Sequence, residues 1–391
     1  MRCYDLNEGD FGGRTPLIWA TDKGHEEVVK MLLAREEVDP DKPDNGDRTP
    51  LSFAAWRGCE EVVKILLARE EVDPNKPDYR GQTPLSFAAW RGCEEVVKIL
   101  LGREEVNPDT LDKDGMTPLS YAASEGHEGI VKILLAWEDV DPDKPNNGGR
   151  TPLSFAAWRG CEEVVKILLA REEVDPDKPD NGGRTPLSSA ASEGHEGIVR
   201  ILLEREEVNP NKLDEGGMTP LLCAASGGHE GIVRILLARR EVNPDRPNDR
   251  GETPLATAAQ LGHEDVVKIL LGRKEVNPEK LDNYGDTPLA CGAYGGHEGM
   301  VKILLEQEGV NPDNLNHAGR TPLSYACSEG HQGVVEILLE QEEVNPNKAD
   351  KDGQTPLMYA TKHGHQRVIE LLQPHEAVTH GALLGIGDTT P

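Results

Sequence analysis

Positive charge is short in this chain. Across 391 residues, 42 Lys and Arg stand against 70 Asp and Glu, a formal net charge of −28. Such a surface repels a phosphate backbone and excludes non-specific nucleic-acid binding. Anionic membrane surfaces are disfavoured for the same reason. A neutral or basic protein partner is the expectation. Long hydrophobic runs are also missing. No stretch approaches the roughly 20 apolar residues of a membrane span, and the apolar run 381–387 is far too short. Residues 1–13 show no apolar h-region of a secretory signal. Cysteine is limited to seven, an odd number, and six of them fall at repeat-related helical positions. That is not a disulfide framework, so a reducing compartment, cytosol or nucleus, is expected.

Catalytic signatures are lacking as well. The chain contains no Gly-x-x-x-x-Gly-Lys-Ser/Thr loop, no His-Glu-x-x-His and no Gly-x-Ser-x-Gly. Its acidic residues recur as solvated helix starts and loops. The chain is not expected to be an enzyme, and no cofactor is implied.

What is present is a repeat. Thr-Pro-Leu begins at Thr15, Thr49, Thr83, Thr117, Thr151, Thr185, Thr219, Thr253, Thr287, Thr321 and Thr355, every interval being 34 residues. In the unit 151–184, Thr151 suits an N-cap, because its hydroxyl can accept an orphan amide of the first turn. Pro152 suits the first helical position, where a missing N–H costs nothing. Leu153, Ala156 and Ala157 share one helical face. Gly160, a glycine in all eleven units, permits the left-handed conformation that reverses the chain. Glu162 and Glu163 then complement the dipole of a second helix, whose apolar stripe is Val164, Val165, Leu168 and Leu169. Pro176 and Pro179 favour an extended loop, and Gly183 turns it back. One such unit cannot bury its apolar face alone and is stable only on stacked neighbours. Eleven of them, with helices about 8–10 Å apart, predict a curved rod on the order of 100 Å long.

The pattern Gly-Arg-Thr-Pro-Leu-x-x-Ala-Ala-x-x-Gly-His-x-x-Val-Val-x-x-Leu-Leu resembles the ankyrin repeat, over Asp10 to about Gln373. The resemblance implies an all-α repeat solenoid of helix-turn-helix units with extended hairpin-like loops. The domains expected are a lead-in at 1–13, eleven repeats over 14–373 and a disordered tail at 374–391. Tetratricopeptide repeats share the period but lack the Pro/Gly-rich loop. Some positions depart from the family pattern. The family's period is 33. Its His after Thr-Pro-Leu is Ser52, Ser86, Ser120, Ser154, Ser188 and Ser324 in six units, so a hydrogen bond joining loop to helix start is altered or missing. Asp47 stands where other units carry the turn glycine, and Gly46 beside it is expected to take over that role.

A His or Cys opens every second helix, with cysteine at Cys59, Cys93 and Cys161. Equivalent residues about 8–10 Å apart cannot share a zinc that holds its ligands at about 2.0–2.3 Å. Packing or capping is expected, not metal binding.

Two positions between Ala-Ala and Gly vary from unit to unit. The resemblance implies that these positions and the loop tips line the concave binding groove. Trp and Arg are enriched at binding hot spots. Trp56, Arg57, Trp90, Arg91, Trp158 and Arg159 therefore form the expected partner-binding patch, with Tyr294 further along. Packing of each Trp on its neighbour's helix, with Arg stacked over it, is the competing account. Tyr79, Arg80 and Tyr284 stand out at the loop tips. The resemblance also implies that loop asparagines such as Asn107 and Asn209 could be hydroxylated, though loop hydrogen bonding accounts for them.

The last repeat has the polar outer face of a cap, with Gln366, Arg367, Glu370 and Gln373. The first repeat has none: Ile18, Trp19, Val28, Val29, Met31 and Leu32 match an internal unit. A monomer is expected, with association through that uncapped face as the alternative if residues 1–13 do not cover it. The function expected is a scaffold or adaptor that binds a protein in its groove. The alternatives are the sensor array of a larger signalling NTPase and a regulatory accessory of a metabolic gene cluster.

Overall fold

The computed structural model describes residues 5–383, with side chains described through 375. Among the described residues it contains 22 helices, α1–α22 in chain order, and no strand. Each repeat contributes a pair, beginning with α1 (Pro16–Asp22) and α2 (Glu26–Leu33), then α3 (Pro50–Arg57) and α4 (Glu60–Leu67). The chain divides into two compact units, Met1–Ala190 with Arg200–Val208, and Ala191–Val199 with Asn209–Pro391.

The starts of the odd-numbered helices follow from Thr-Pro. Thr15 has extended backbone and its hydroxyl accepts the Ile18 N–H at 3.2 Å. Thr49 does the same for Ser52 at 3.2 Å. The serine that replaces the family's histidine adds a hydroxyl contact, Thr49 Oγ1 to Ser52 Oγ at 3.1 Å, repeated at Thr83–Ser86 and Thr151–Ser154. The helix start is thus tied locally rather than to the loop.

The turn glycine of every unit lies at positive φ, from 68° at Gly24 to 85° at Gly194. It is needed twice over, because its missing Cβ also makes room for the next repeat. A Cβ on Gly92 would stand 2.7 Å from the His127 ring. That ring does not cap its own helix. Its Nε2 instead reaches the Trp90 carbonyl, 37 residues back, at 3.1 Å. His229, His263, His297, His331 and His365 make the same bond at 2.9–3.0 Å. A carbonyl only accepts, so each of these rings carries a proton on Nε2. The histidines therefore satisfy helix C-terminal carbonyls of the preceding repeat. Where Cys59, Cys93 and Cys161 replace them, half-burial pushes the thiols up.

The core lies between the two helix rows. Leu51, Ala54, Ala55, Val63 and Leu66 of the second repeat are fully buried. At the loop tips Asp44 Oδ1 accepts two amides, Gly46 at 2.8 Å and Arg48 at 3.0 Å. Within each compact unit a tip then donates one backbone bond to the preceding tip, as Tyr79 N does to Gly46 O at 3.0 Å and Lys113 N to Arg80 O at 2.8 Å. This ladder corrects the expectation for Gly46. Asp47 itself adopts φ 59°, the one non-glycine at positive φ among the described residues. The Gly46 carbonyl is committed to Tyr79, and Asp tolerates the left-handed region better than most residues.

At the amino end, Asn7 bonds the loop through Glu37 O and Asp39 N, and the Phe11 carbonyl accepts from Asn45. The described lead-in thus joins the loop edge. Val28 remains 39% and Met31 62% exposed, whereas Val62, the equivalent of Val28, is 1% exposed. At the other end α22 runs Gln366–Leu383 with Pro374 inside it. The tail expected from 374 begins within this helix, and residues 384–391 lie outside the described residues, as do residues 1–4.

Candidate functional site

The last turns of α3 and of α5 (Pro84–Arg91) carry Trp56 and Trp90. The two rings stand edge to face, with centroids 4.9 Å apart and planes at 75°. Trp56 also meets Phe87 edge-on at 5.7 Å. Trp90 stacks at 5.6 Å and 30° on Tyr121 of α7 (Pro118–Glu125). Three successive repeats thereby build one aromatic row, from the variable positions Trp56 and Trp90 and the fifth positions Phe87 and Tyr121. Arg91 lies over the Trp56 ring at 4.8 Å. Arg57 turns the other way and pairs with Asp22 of the first repeat, Nε to Oδ1 at 2.9 Å.

A cavity of 330 Å³ opens beside this row. Trp56, Trp90, Phe53 and Phe87 form its apolar wall, and the loop-tip residues Tyr79 and Arg80 form its rim. Two groups of residues singled out in the sequence, tryptophans and loop tip, therefore meet at one place. Arg14, Arg48 and Arg57 also line it, so four arginines face two aspartates, Asp22 and Asp78. In a chain of −28 this is a local reversal of charge.

Much of that charge is held by stacking. The Phe53 ring lies between two guanidinium groups, Arg14 at 4.9 Å and Arg48 at 4.8 Å. Arg48 additionally pairs with Asp44 at 2.8 Å. Arg80 bonds the Tyr79 hydroxyl through Nε at 2.7 Å and lies over that ring. Burial would raise the Asp22 carboxyl, but the Arg57 hydrogen bond and charge, helped by Lys23 and Arg14, outweigh it and hold it below its ordinary value. Asp78 is spent on the tip, where it accepts the Arg80 and Gln82 amides at 2.8 and 2.9 Å.

The third Trp-Arg pair stands elsewhere. Trp158 is 38% exposed. Arg150 and Arg159 lie over its ring at 5.6 and 5.1 Å, and Arg159 pairs with Glu125 at 3.3 Å. Tyr284 and Tyr294 belong to a second, smaller cavity of 240 Å³ in the second unit, walled also by Tyr325 and by the acids Glu252, Asp282 and Asp286. Burial pushes Asp286 up, against hydrogen bonds from Tyr325 and Asn316. The two cavities thus present opposite charge.

Arg14, Arg48, Phe53, Phe87 and Tyr121 are not reached by comparing only the two positions before the turn glycine. A signal for them exists. The residue before each Thr-Pro also varies, from Arg14 and Arg48 through Gln82 to Glu252 and Asp286, and the fifth position of the unit is aromatic at Trp19, Phe53, Phe87, Tyr121, Phe155, Tyr325 and Tyr359.

Among the described residues no helix is long and apolar enough to cross a membrane, and no group of three or more His, Cys, Asp or Glu could hold a metal ion. No match was found among curated proteins. A family model described as ankyrin repeats (3 copies) matches six overlapping stretches, residues 2–78, 44–108, 85–180, 169–248, 240–315 and 308–380. Those stretches span nearly the whole length, and their paired helices, turn glycines and hairpin loops are the ones described above: the chain belongs to the ankyrin repeat family.

Proposed function

We propose that this chain is a non-catalytic scaffold that holds a protein partner, with the cavity at Trp56 and Trp90 as the main point of engagement. Ankyrin repeats generally mediate protein–protein interaction. The observation that carries the specific reading is the convergence of Trp56, Trp90, Tyr79 and Arg80 on one cavity. Trp, Tyr and Arg are the residue types in which binding energy concentrates. Within the first compact unit Arg57, Arg91, Trp158 and Arg159 extend the contact surface, and the Tyr284–Tyr294 cavity offers a separate one in the second unit. The net charge of −28 favours a partner that is neutral or basic overall. Cysteines set at repeat-equivalent helical positions, unlike a disulfide framework, support the cytosol or nucleus as its place of work. We take it to act as a monomer, with Trp19, Val28 and Met31 as the face through which copies would associate.

The test is capture of partners on the wild-type chain and on a Trp56→Ala/Trp90→Ala variant whose helical content is shown intact by circular dichroism. Each candidate is then purified and titrated against both. A partner that binds wild type and loses affinity for the variant supports the reading. Partners that bind both equally would remove the cavity from it.

A further inference from the structure

We propose that the cavity at Trp56 and Trp90 takes an acidic peptide segment. A carboxylate side chain is held by Arg14 and Arg80, and a neighbouring aromatic or aliphatic side chain lies on the Trp56 and Trp90 rings. The inference rests on the reading of this cavity as the partner site and names the chemistry that site selects.

Charge complementarity is the first argument. The chain as a whole has 70 acids to 42 bases, yet four arginines and two aspartates line this cavity. Both aspartates are engaged already, Asp22 by Arg57 and Asp78 by backbone amides. Of the four lining arginines, Arg57 and Arg48 are paired with Asp22 and Asp44, and Arg14 and Arg80 are not. Among the described residues Arg14 and Arg80, and Arg91 outside the lining, make no ion pair with a carboxylate, and each is placed over an aromatic ring: Phe53 at 4.9 Å, Tyr79 at 5.4 Å and Trp56 at 4.8 Å. Stacking occupies the face of a guanidinium and leaves its edge for hydrogen bonds; Arg80 gives Nε to the Tyr79 hydroxyl at 2.7 Å and keeps its two Nη groups for a ligand. That is the arrangement that receives a carboxylate in two parallel hydrogen bonds.

Range is the second argument. Screening limits exposed charges to about 8 Å at physiological salt. The net negative field therefore acts on the partner's body during approach, while the arginines act on the segment that enters. A neutral or basic protein bearing a short acidic and apolar segment satisfies both. A basic segment would set its cations against those of the cavity wall, a costly juxtaposition. The volume of 330 Å³ is near the lower end of binding pockets, roughly 300–1,000 Å³, which suits one or two side chains.

The probe is a phage-displayed random dodecapeptide library panned on the full chain. Recovered peptides are synthesised with a fluorophore and titrated by fluorescence polarisation against wild type, Trp56→Ala/Trp90→Ala and Arg14→Gln/Arg80→Gln. We expect a consensus with Asp or Glu next to an aromatic or aliphatic residue. Affinity should fall by roughly tenfold or more in each double variant, and equally when the peptide's carboxylate is replaced by its amide. The amide peptide needs no change to the protein, so a variant that misfolds does not spare the proposal. A neutral or basic consensus that depends on the tryptophans but not on the arginines overturns the acidic segment and leaves the cavity as partner site. Recovery of no peptide that depends on the tryptophans overturns both.

Discussion

Trp56 and Trp90 are 34 residues apart in sequence and touch edge to face, with ring centroids 4.9 Å apart. The contact places a packing role and a binding role on the same side chains. Trp90 also stacks on Tyr121. Each aromatic pair contributes about 0.5–1.5 kcal/mol beyond its area, so Trp90→Ala should cost about 1–3 kcal/mol in urea unfolding. Partner affinity should fall in the same variant while the array still folds at low temperature. A variant destabilised to that degree with undiminished binding would show that the rings serve packing alone.

Arg57 and Asp22 join the first two repeats through a carboxylate whose side chain is 5% exposed. Because the Asp22 carboxyl is held below its ordinary 3.8, its contribution is present above that value and is lost as pH falls through the lowered one. Arg57→Ala leaves the carboxylate buried without its main partner and should cost about 1–3 kcal/mol at pH 7. With Arg57 gone and Lys23 and Arg14 still nearby, the carboxyl should titrate higher than in the wild type, so the deficit should shrink as pH falls through that range. Unfolding of both proteins across pH 3–7 checks the sign. A deficit that stays constant with pH would place the effect outside this pair.

The histidine bonds predict a gain of stability where cysteine interrupts them. His127 donates to the Trp90 carbonyl at 3.1 Å, and Cys93 occupies the equivalent position opposite the Trp56 carbonyl. Cys93→His should restore the bond and raise stability by about 0.5–1.5 kcal/mol. The converse change, His263→Cys, should lower it by a similar amount. Thermal unfolding of the two variants reads both directions, and a loss in Cys93→His would mean that the ring does not fit beside Gly58.

Asp47 at φ 59° adopts a conformation that its ten equivalents assign to glycine. Asp47→Gly should stabilise the chain by about 0.5–1 kcal/mol by removing the cost of a side chain there, and Asp47→Val should destabilise it by more. Equilibrium unfolding that ranks Val above Gly would contradict the backbone geometry at this tip.

Much of the fold was legible because each local rule recurs eleven times. Thr-Pro starts a helix through one hydroxyl and one missing N–H, and Gly at the turn is required by positive φ. These are short-range effects, set within a few residues of chain. The variable Trp-Arg positions were legible as candidates for the same reason, since they depart from an otherwise uniform frame.

Tertiary structure decided what those departures do. Residues from different repeats meet only through stacking, so no local pattern states that Arg57 turns back to Asp22 while Arg91 covers Trp56. Nor does it state that Trp158 stands outside the cavity that Trp56 and Trp90 share with the tip residues Tyr79 and Arg80. The histidine bonds, spanning 37 residues, belong to the same class. The sequence by itself determined the repeat, its helices and its turns, because those depend on backbone conformation near each residue. The charge and shape of the candidate site depend on side chains brought together across repeat boundaries, and that only the stacked structure decides.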